Sequence, residues 1–198
     1  MMCSYEHFTR DKRTYQHTAT SEGVVFTEDW RITEKPERKV MKMEITGGKF
    51  LTFLLGSEEY GIPINKIKEI IGIMEITKVP RTPVFIKGVI NLRGKIIPVM
   101  DLRLKFELGE KEYNQRTCII VVEIDFSGSK RLMGIVVDTV SEVVNIQKGD
   151  IELPPQYGSR VDTAFLTGMG KVKGKVILLL DIEQVLNSDE KAQLSEIR

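Results

Sequence analysis

Histidine is scarce in this sequence. His7 and His17 fall in the leading forty residues, together with the single tryptophan, Trp30, and nothing after position 40 carries either side chain. The rest of the chain therefore lacks the parts for Ser-His-Asp or Cys-His nucleophilic catalysis and for the usual His-bearing zinc sites. Cysteine is as rare: Cys3 and Cys118 are too few and too distant for a disulfide scaffold, which suits a reducing cytoplasm. Cys118 lies in TCIIVVEID, a buried-strand pattern in which a thiol reads as an inert core group. Charge of one sign is missing too. With 29 Lys plus Arg against 28 Asp plus Glu, no net field draws nucleic acid or an anionic membrane to the chain. The strand runs CIIVVEI and KVILLL also lack the aromatics interleaved with basic residues that a single-strand nucleic-acid binder needs. No apolar run approaches about 18 residues, and the start MMCSYEHFTRDK has no signal-peptide core, so neither membrane insertion nor export is expected.

Two further catalytic readings fail on spacing. Glu58/Glu59 and Asp189/Glu190 are sequence neighbours beside turn and helix signals, which reads as solvated edges, not as a matched acid and base. GVINLRGK imitates a phosphate loop, but five residues separate Gly88 from Gly94, Ile96 replaces the magnesium-binding hydroxyl, and a strand pattern follows where a helix is needed.

What is present is β-structure. Residues 1–45 read as an irregular polar leader, either a loosely held tail or a stretch upstream of a translation start at Met41 or Met43. From Lys49 onward KFLTFLL, YGIPI, KIIPVM, CIIVVEI, LMGIVV and KVILLL are short runs rich in Ile, Val, Leu and Phe, separated by turn signals such as GSEE, LRG, DFSGSKR and KVKG. This spacing favours small barrels or sandwiches. Helical periodicity is confined to INKIKEII, where Ile64, Ile67, Ile70 and Ile71 share a helical face, and to the tail 188–198, where Asn187 and Glu190 form a capping-box signature.

The chain is also duplicated. GIPINKIKEII (61–71) matches GIVVDTVSEVV (134–144) at an offset of 73, and FIKGVINLRGKIIPVMDL (85–102) matches FLTGMGKVKGKVILLLDI (165–182) at an offset of 80. Two similar β modules, about 49–110 and 117–187, are expected to intertwine within 46–190. Gly94 and Gly174 become turn residues at positive φ, and Asp101 and Asp181 candidate N-caps. Asn91, Leu92 and Arg93 are not covered by this, since the other module has Lys171, Val172 and Lys173 there. A turn alone does not call for an arginine.

EEYGIPINKIKEI, TPVFIKGVINLRGKIIPVMDLRLKF, GIVVDTVSEVV, TAFLTGMG and ILLLDIEQVLN, in that order, resemble the bacterial chemotaxis coupling proteins of the CheW family. The resemblance covers about Phe50 to Asn187 and leaves the leader uncovered. It implies a mainly β fold of two SH3-like five-stranded barrels with short helices and a C-terminal helix. It also implies a cytoplasmic adapter without catalysis or cofactor, recruited to membrane-associated arrays, with two partners. These are the cytoplasmic tip of methyl-accepting chemoreceptors and the regulatory domain of the histidine kinase CheA. The arginine of the NLRG motif is Arg93, and Gly88, Ile67 and Glu69 match other positions tied to partner binding. Val89, Leu92 and Ile67 are then candidate walls of a groove for a receptor helix, with Asn91 beside them and Arg93 and Glu69 as rim charges. Two other readings stay open at this stage: a regulatory-type domain of another two-component scaffold, and a small-barrel enzyme.

Overall fold

The run CIIVVEIDF, Cys118–Phe126, is a strand with apolar residues on both faces because both faces are covered. Ile119 and Val121 enter one apolar cluster, while Ile120, Val122 and Ile124 enter another. The same division of alternate side chains recurs along FLTFLL and VILLL, and it is why these runs do not show the polar alternation of a half-solvated sheet. Three clusters result. Two are interiors, one around Phe50, Ile146, Ile177 and Leu179, the other around Ile90, Ile97, Val99 and Ile119. The third and largest, with Leu51, Phe53, Ile62, Met100, Ile120 and Leu180, takes residues from both sheets and joins them.

The computed structural model describes residues 19–20, 23–24, 46–126, 128–154 and 165–195. Within the unit Met1–Met41 a short antiparallel pair, β1 (Ala19–Thr20) and β2 (Gly23–Val24), is described, and the expectations for the remainder of the leader lie outside the described residues. The unit Lys42–Arg198 is mainly β. In chain order it holds β3 (Gly48–Leu55), β4 (Glu58–Pro63), β5 (Ile67–Gly72), β6 (Ile86–Leu92), β7 (Lys95–Asp101), helix α1 (Leu102–Lys105), β8 (Cys118–Phe126) and β9 (Ser129–Val137). These are followed by β10 (Thr139–Ile146), β11 (Ile151–Glu152), β12 (Leu166–Val172), β13 (Lys175–Leu180) and helix α2 (Ser188–Ser195). One sheet runs β10-β3-β4-β13-β12-β11 and the other β5-β8-β9-β7-β6. Each wraps its own interior cluster, as two SH3-like barrels do. Among the described residues no helix is long and apolar enough to cross a membrane.

The sheets do not follow the duplicated halves. By the repeat, β3-β4 corresponds to β8-β9, β5 to β10, and β6-β7 to β12-β13. The hairpin β3-β4 nevertheless pairs with β10 and β13 of the second half and shares their sheet with β12, while β8-β9 pairs with β5 and β7 of the first and shares their sheet with β6. The exchange is sealed by two parallel pairings, β13 on β4 and β7 on β9. The repeated glycine sits at both of them. A Cβ on Gly61 would lie 3.1 Å from Leu179 Cδ2, and one on Gly134 would lie 2.8 Å from Ile119 Cγ2 and 3.3 Å from Val99 Cγ2.

One expectation fails. INKIKEII is not a helix: Ile64–Lys66 forms a single 3-10 turn and the rest is β5. Ile67, Glu69 and Ile71 alternate inward while Ile64 and Ile70 are exposed, so period two and β-branching prevail over a spacing that fits either structure. At the two candidate caps, the Asp101 carboxylate accepts the Arg103 and Leu104 N–H groups at the start of α1. Among the described residues the Asp181 carboxylate accepts the Glu183 N–H alone, and a turn follows, not a helix. Asn187 and Glu190 exchange both reciprocal capping bonds at the start of α2. Lys105 then ties α2 to α1 through Glu190, at 2.6 Å.

The junctions after the two parallel pairings carry ion pairs of opposite polarity. After β7, Arg103 donates from Nη1 to Asp138 Oδ2 at 2.9 Å, and that carboxylate also accepts the Gly56 N–H from the other barrel's hairpin turn. After β13 the equivalent residue is Glu183, which pairs with Lys66 at 2.8 Å and accepts the Asp125 N–H from the opposite hairpin. Burial works to raise the Asp138 carboxyl, but the Gly56 N–H, Lys111 and Arg103 overcome it and hold the group below its ordinary value. A depressed folded-state pKa stabilises the fold above the unfolded-state value, and this contribution disappears as pH falls through the folded one. Stability measured by urea titration is therefore expected to drop below about pH 4. Asp181, raised by burial, acts in the opposite sense. The informative comparison is with Asp138→Asn, whose profile should be flatter than that of the wild type in this window; parallel profiles would contradict the assignment.

Candidate functional site

A five-stranded sheet closes only if its edges meet, and here the edges are β5 and β6. The chain running on from β5 does this: Thr77 and Val89 exchange both backbone hydrogen bonds, each at 2.9 Å. Gly88 makes the approach possible. Its φ is +139°, and a Cβ there would stand 2.1 Å from the Thr77 carbonyl oxygen. The strand register slips between Ile86 and Gly88, a bulge that turns the backbone toward the seam. Gly88, expected to touch a partner, is buried and closes the barrel.

Beyond this bridge β6 and β7 are joined by a two-residue turn, Arg93 at φ 52° and Gly94 at φ 82°. Both signs match a type I′ turn, whose twist suits the flanking strands. Asn91 supports it by accepting the Gly94 N–H at 2.9 Å, so its side chain has a local structural role. From the turn Arg93 reaches across the seam, and Nη2 donates to Glu69 Oε2 at 2.9 Å. The structure thus brings together two residues 24 positions apart that the sequence analysis had placed at one rim. Arg93 remains 80% exposed in its side chain while Glu69 is 27% exposed.

The three apolar candidates do not form one wall. Ile67 packs against the large cluster between the sheets, whereas Leu92 packs against the interior of the β5–β9 barrel. Val89 is half-buried on the bridging strand beside Pro98. The exposed apolar side chains nearby in sequence are instead Ile70 and Ile96, 42% and 59% exposed, neither of them among the residues expected to bind. The repeat held a signal for them, since Val143 and Val176 occupy the equivalent positions and are also exposed.

The second barrel repeats the rim in weaker form. Lys173, at φ 50°, faces Glu142 across 3.8 Å. A guanidinium in place of this ammonium offers a flat fork with donors left over for a second acceptor. Cys118 is half-buried at the start of β8, and its thiol donates to the Arg116 carbonyl.

The CheW-like domain model matches residues 49–190. The chain belongs to this family. Its relatives include the "Chemotaxis protein CheW" of Klebsiella aerogenes, 42% identical over 154 residues that make up 78% of this chain and 90% of the relative. Another is "Protein FrzA" of Myxococcus xanthus, 32% identical over 77% of this chain and 94% of the relative. Among solved structures, the scaffolding protein TtCheW from Thermoanaerobacter tengcongensis aligns with a TM-score of 0.65 and 40% identity, over 73% of this chain and 97% of that one. The matched CheW-like region takes in both barrels, the seam and the start of α2.

Proposed function

We propose that this chain is a non-catalytic chemotaxis adapter, joining the cytoplasmic tip of methyl-accepting chemoreceptors to the regulatory domain of the histidine kinase CheA. It works in the cytoplasm and is recruited to membrane-associated receptor arrays. Membership of the CheW-like family supports this reading, as do the relatives named for chemotaxis and the neighbour named as a scaffolding protein. The observation that carries it is the Arg93–Glu69 pair. An arginine in a left-handed turn conformation, mostly exposed and held in register by one bond to Glu69, presents its remaining donors to another chain at little entropic cost.

An exposed ion pair contributes at most about 1 kcal/mol to folding. As an interfacial anchor the same arginine contributes more, about 1–3 kcal/mol. Arg93→Ala is therefore expected to leave the denaturation midpoint nearly unchanged while weakening binding to the receptor tip or to the kinase regulatory domain roughly tenfold or more. Calorimetric titration against each fragment reads this directly. Wild-type affinity for both would remove Arg93 from the interface.

A further inference from the structure

A cavity of about 300 Å³ opens beside Asp181 in the β3/β13 barrel; its lining includes Thr46, Phe50, Pro63, Thr167, Leu179 and Asp181, with Lys66 and Glu183 at its side. The repeat shows what this place holds in the other barrel. By the 80-residue offset Asp181, Leu179 and Thr167 correspond to Asp101, Val99 and Lys87, and by the hairpin registers Phe50 and Pro63 correspond to Ile119 and Val136. These five equivalents belong to the surroundings of one side chain, Tyr113. Its hydroxyl donates to Asp101 Oδ2 at 3.0 Å, Lys87 Nζ stands 6.0 Å from its ring centroid, and its ring packs on the cluster containing Val99, Ile119 and Val136. Asp101 thus has one oxygen capping α1 and the other satisfied by a phenol.

Asp181 is half matched. Its Oδ1 accepts the Glu183 N–H, as Asp101 Oδ1 accepts that of Arg103, but no described side chain stands where the Tyr113 hydroxyl would be. The sequence has no tyrosine at the equivalent position. Tyr113 lies nine residues before Val122, and the residue nine before its counterpart Phe53 is Glu44, which lies outside the described residues.

We infer that the cavity beside Asp181 is a seat for a tyrosine side chain carried by a partner protein. The ring would lie on Phe50, Pro63 and Leu179, and the hydroxyl would donate to Asp181 as Tyr113 does to Asp101. Space of this size is at the lower end of small-ligand pockets, which suits one aromatic side chain. That the tyrosine comes from a protein rests on the adapter reading; the chemistry of the seat does not.

The test uses p-cresol, the tyrosine side chain as a free molecule, with toluene as the same shape without the hydroxyl, each titrated into the full chain and followed by amide chemical shifts. Saturable p-cresol shifts are expected around residues 179–183, with toluene weaker by about tenfold because it leaves the Asp181 oxygen unpaired. Asp181→Asn should reduce that preference severalfold, and Thr167→Phe, which fills the cavity from β12, should abolish binding of both. Equal binding of the two compounds would overturn the inference, as would absence of saturable shifts or indifference to Thr167→Phe. Binding that emerges only after Tyr157→Ala, a change at a tyrosine of the segment 155–164 outside the described residues, would overturn it too, by making the occupant a residue of this chain. Neither fragment used for the adapter takes part, so failure here and failure of the adapter reading are read separately.

Discussion

Gly88→Ala is expected to cost at least about 3 kcal/mol, enough to leave much of the chain unfolded or its first barrel open at the seam. Two effects act at the same residue. The backbone is at φ +139°, which L side chains rarely adopt, and the added methyl would stand 2.1 Å from the Thr77 carbonyl oxygen, a backbone atom that cannot rotate aside. Relief requires Thr77 to leave Val89, and with it go both hydrogen bonds that join the two edges of the sheet. Gly94→Ala provides the contrast. Its φ is also positive, at +82°, but its Cβ would meet nothing within 4 Å, so only the conformational cost of about 1 kcal/mol is expected. Urea denaturation of the two variants separates them. Binding to every partner should fall together in Gly88→Ala, in step with the folded fraction; a well-folded Gly88→Ala protein that has lost a single partner would instead place Gly88 in an interface.

Reversing Arg103 and Glu183 together is expected to be the most damaging pair of charge changes in the molecule. In the observed arrangement Arg103 meets Asp138 and Glu183 meets Lys66, opposite charges at both junctions. If each hairpin paired within its own half, β7 would lie beside β4 and β13 beside β9. Arg103 would then meet Lys66, and Glu183 would meet Asp138. The duplicated halves are similar enough in apolar pattern that strand chemistry alone discriminates weakly between these pairings, and the junction charges favour the exchanged one. Arg103 and Asp138 are 15% and 13% exposed, so breaking their pair leaves a poorly solvated charge and costs about 3 kcal/mol or more. Lys66 and Glu183 are wetter, 40% and 21% exposed, and contribute about 1 kcal/mol at most. Arg103→Glu with Glu183→Arg places like charges at both junctions and should lose more than the sum of the corresponding alanine changes. Arg103→Glu with Asp138→Arg restores attraction at one junction but gives up the Gly56 N–H and Lys111 bonds to Asp138, and should recover part of the loss seen in Arg103→Glu alone. Equal stabilities of the two double variants would show that these charges do not select the pairing.

The contrast between these residues explains how far the sequence could be read. Strands buried on both faces, such as CIIVVEI and VILLL, announce themselves by continuous apolar runs, and turns such as Leu92-Arg93-Gly94-Lys95 by their chemistry, so the mainly β fold was legible. Alignment of 61–71 with 134–144 revealed which segments are alike. Likeness leads one to expect intertwined modules but does not say which segment pairs with which, so the particular exchange of hairpins is legible only in the structure. β5 was misread because Ile67, Ile70 and Ile71 satisfy a helical spacing while Ile67, Glu69 and Ile71 satisfy a strand's, and only the neighbouring β8 decides between them. At the site, Arg93 and Glu69 are rim charges in the sequence reading, and the structure pairs them at 2.9 Å. Gly88 and Asn91 were named for binding although their local geometry serves the seam and the turn. Ile67 and Leu92 were assigned to one wall because sequence cannot show that a barrel interior and a barrel interface lie on opposite sides of the same sheet.

The most direct measurement is sedimentation of the full chain with a receptor-tip helical hairpin and the kinase regulatory domain, each alone and then both together. Each fragment is expected to bind by itself, and the mixture to yield a single species containing all three, because an adapter needs two surfaces that can be filled at once. Two binary complexes that exclude each other, or no complex with either fragment, would contradict the adapter role even with the double-barrel fold intact.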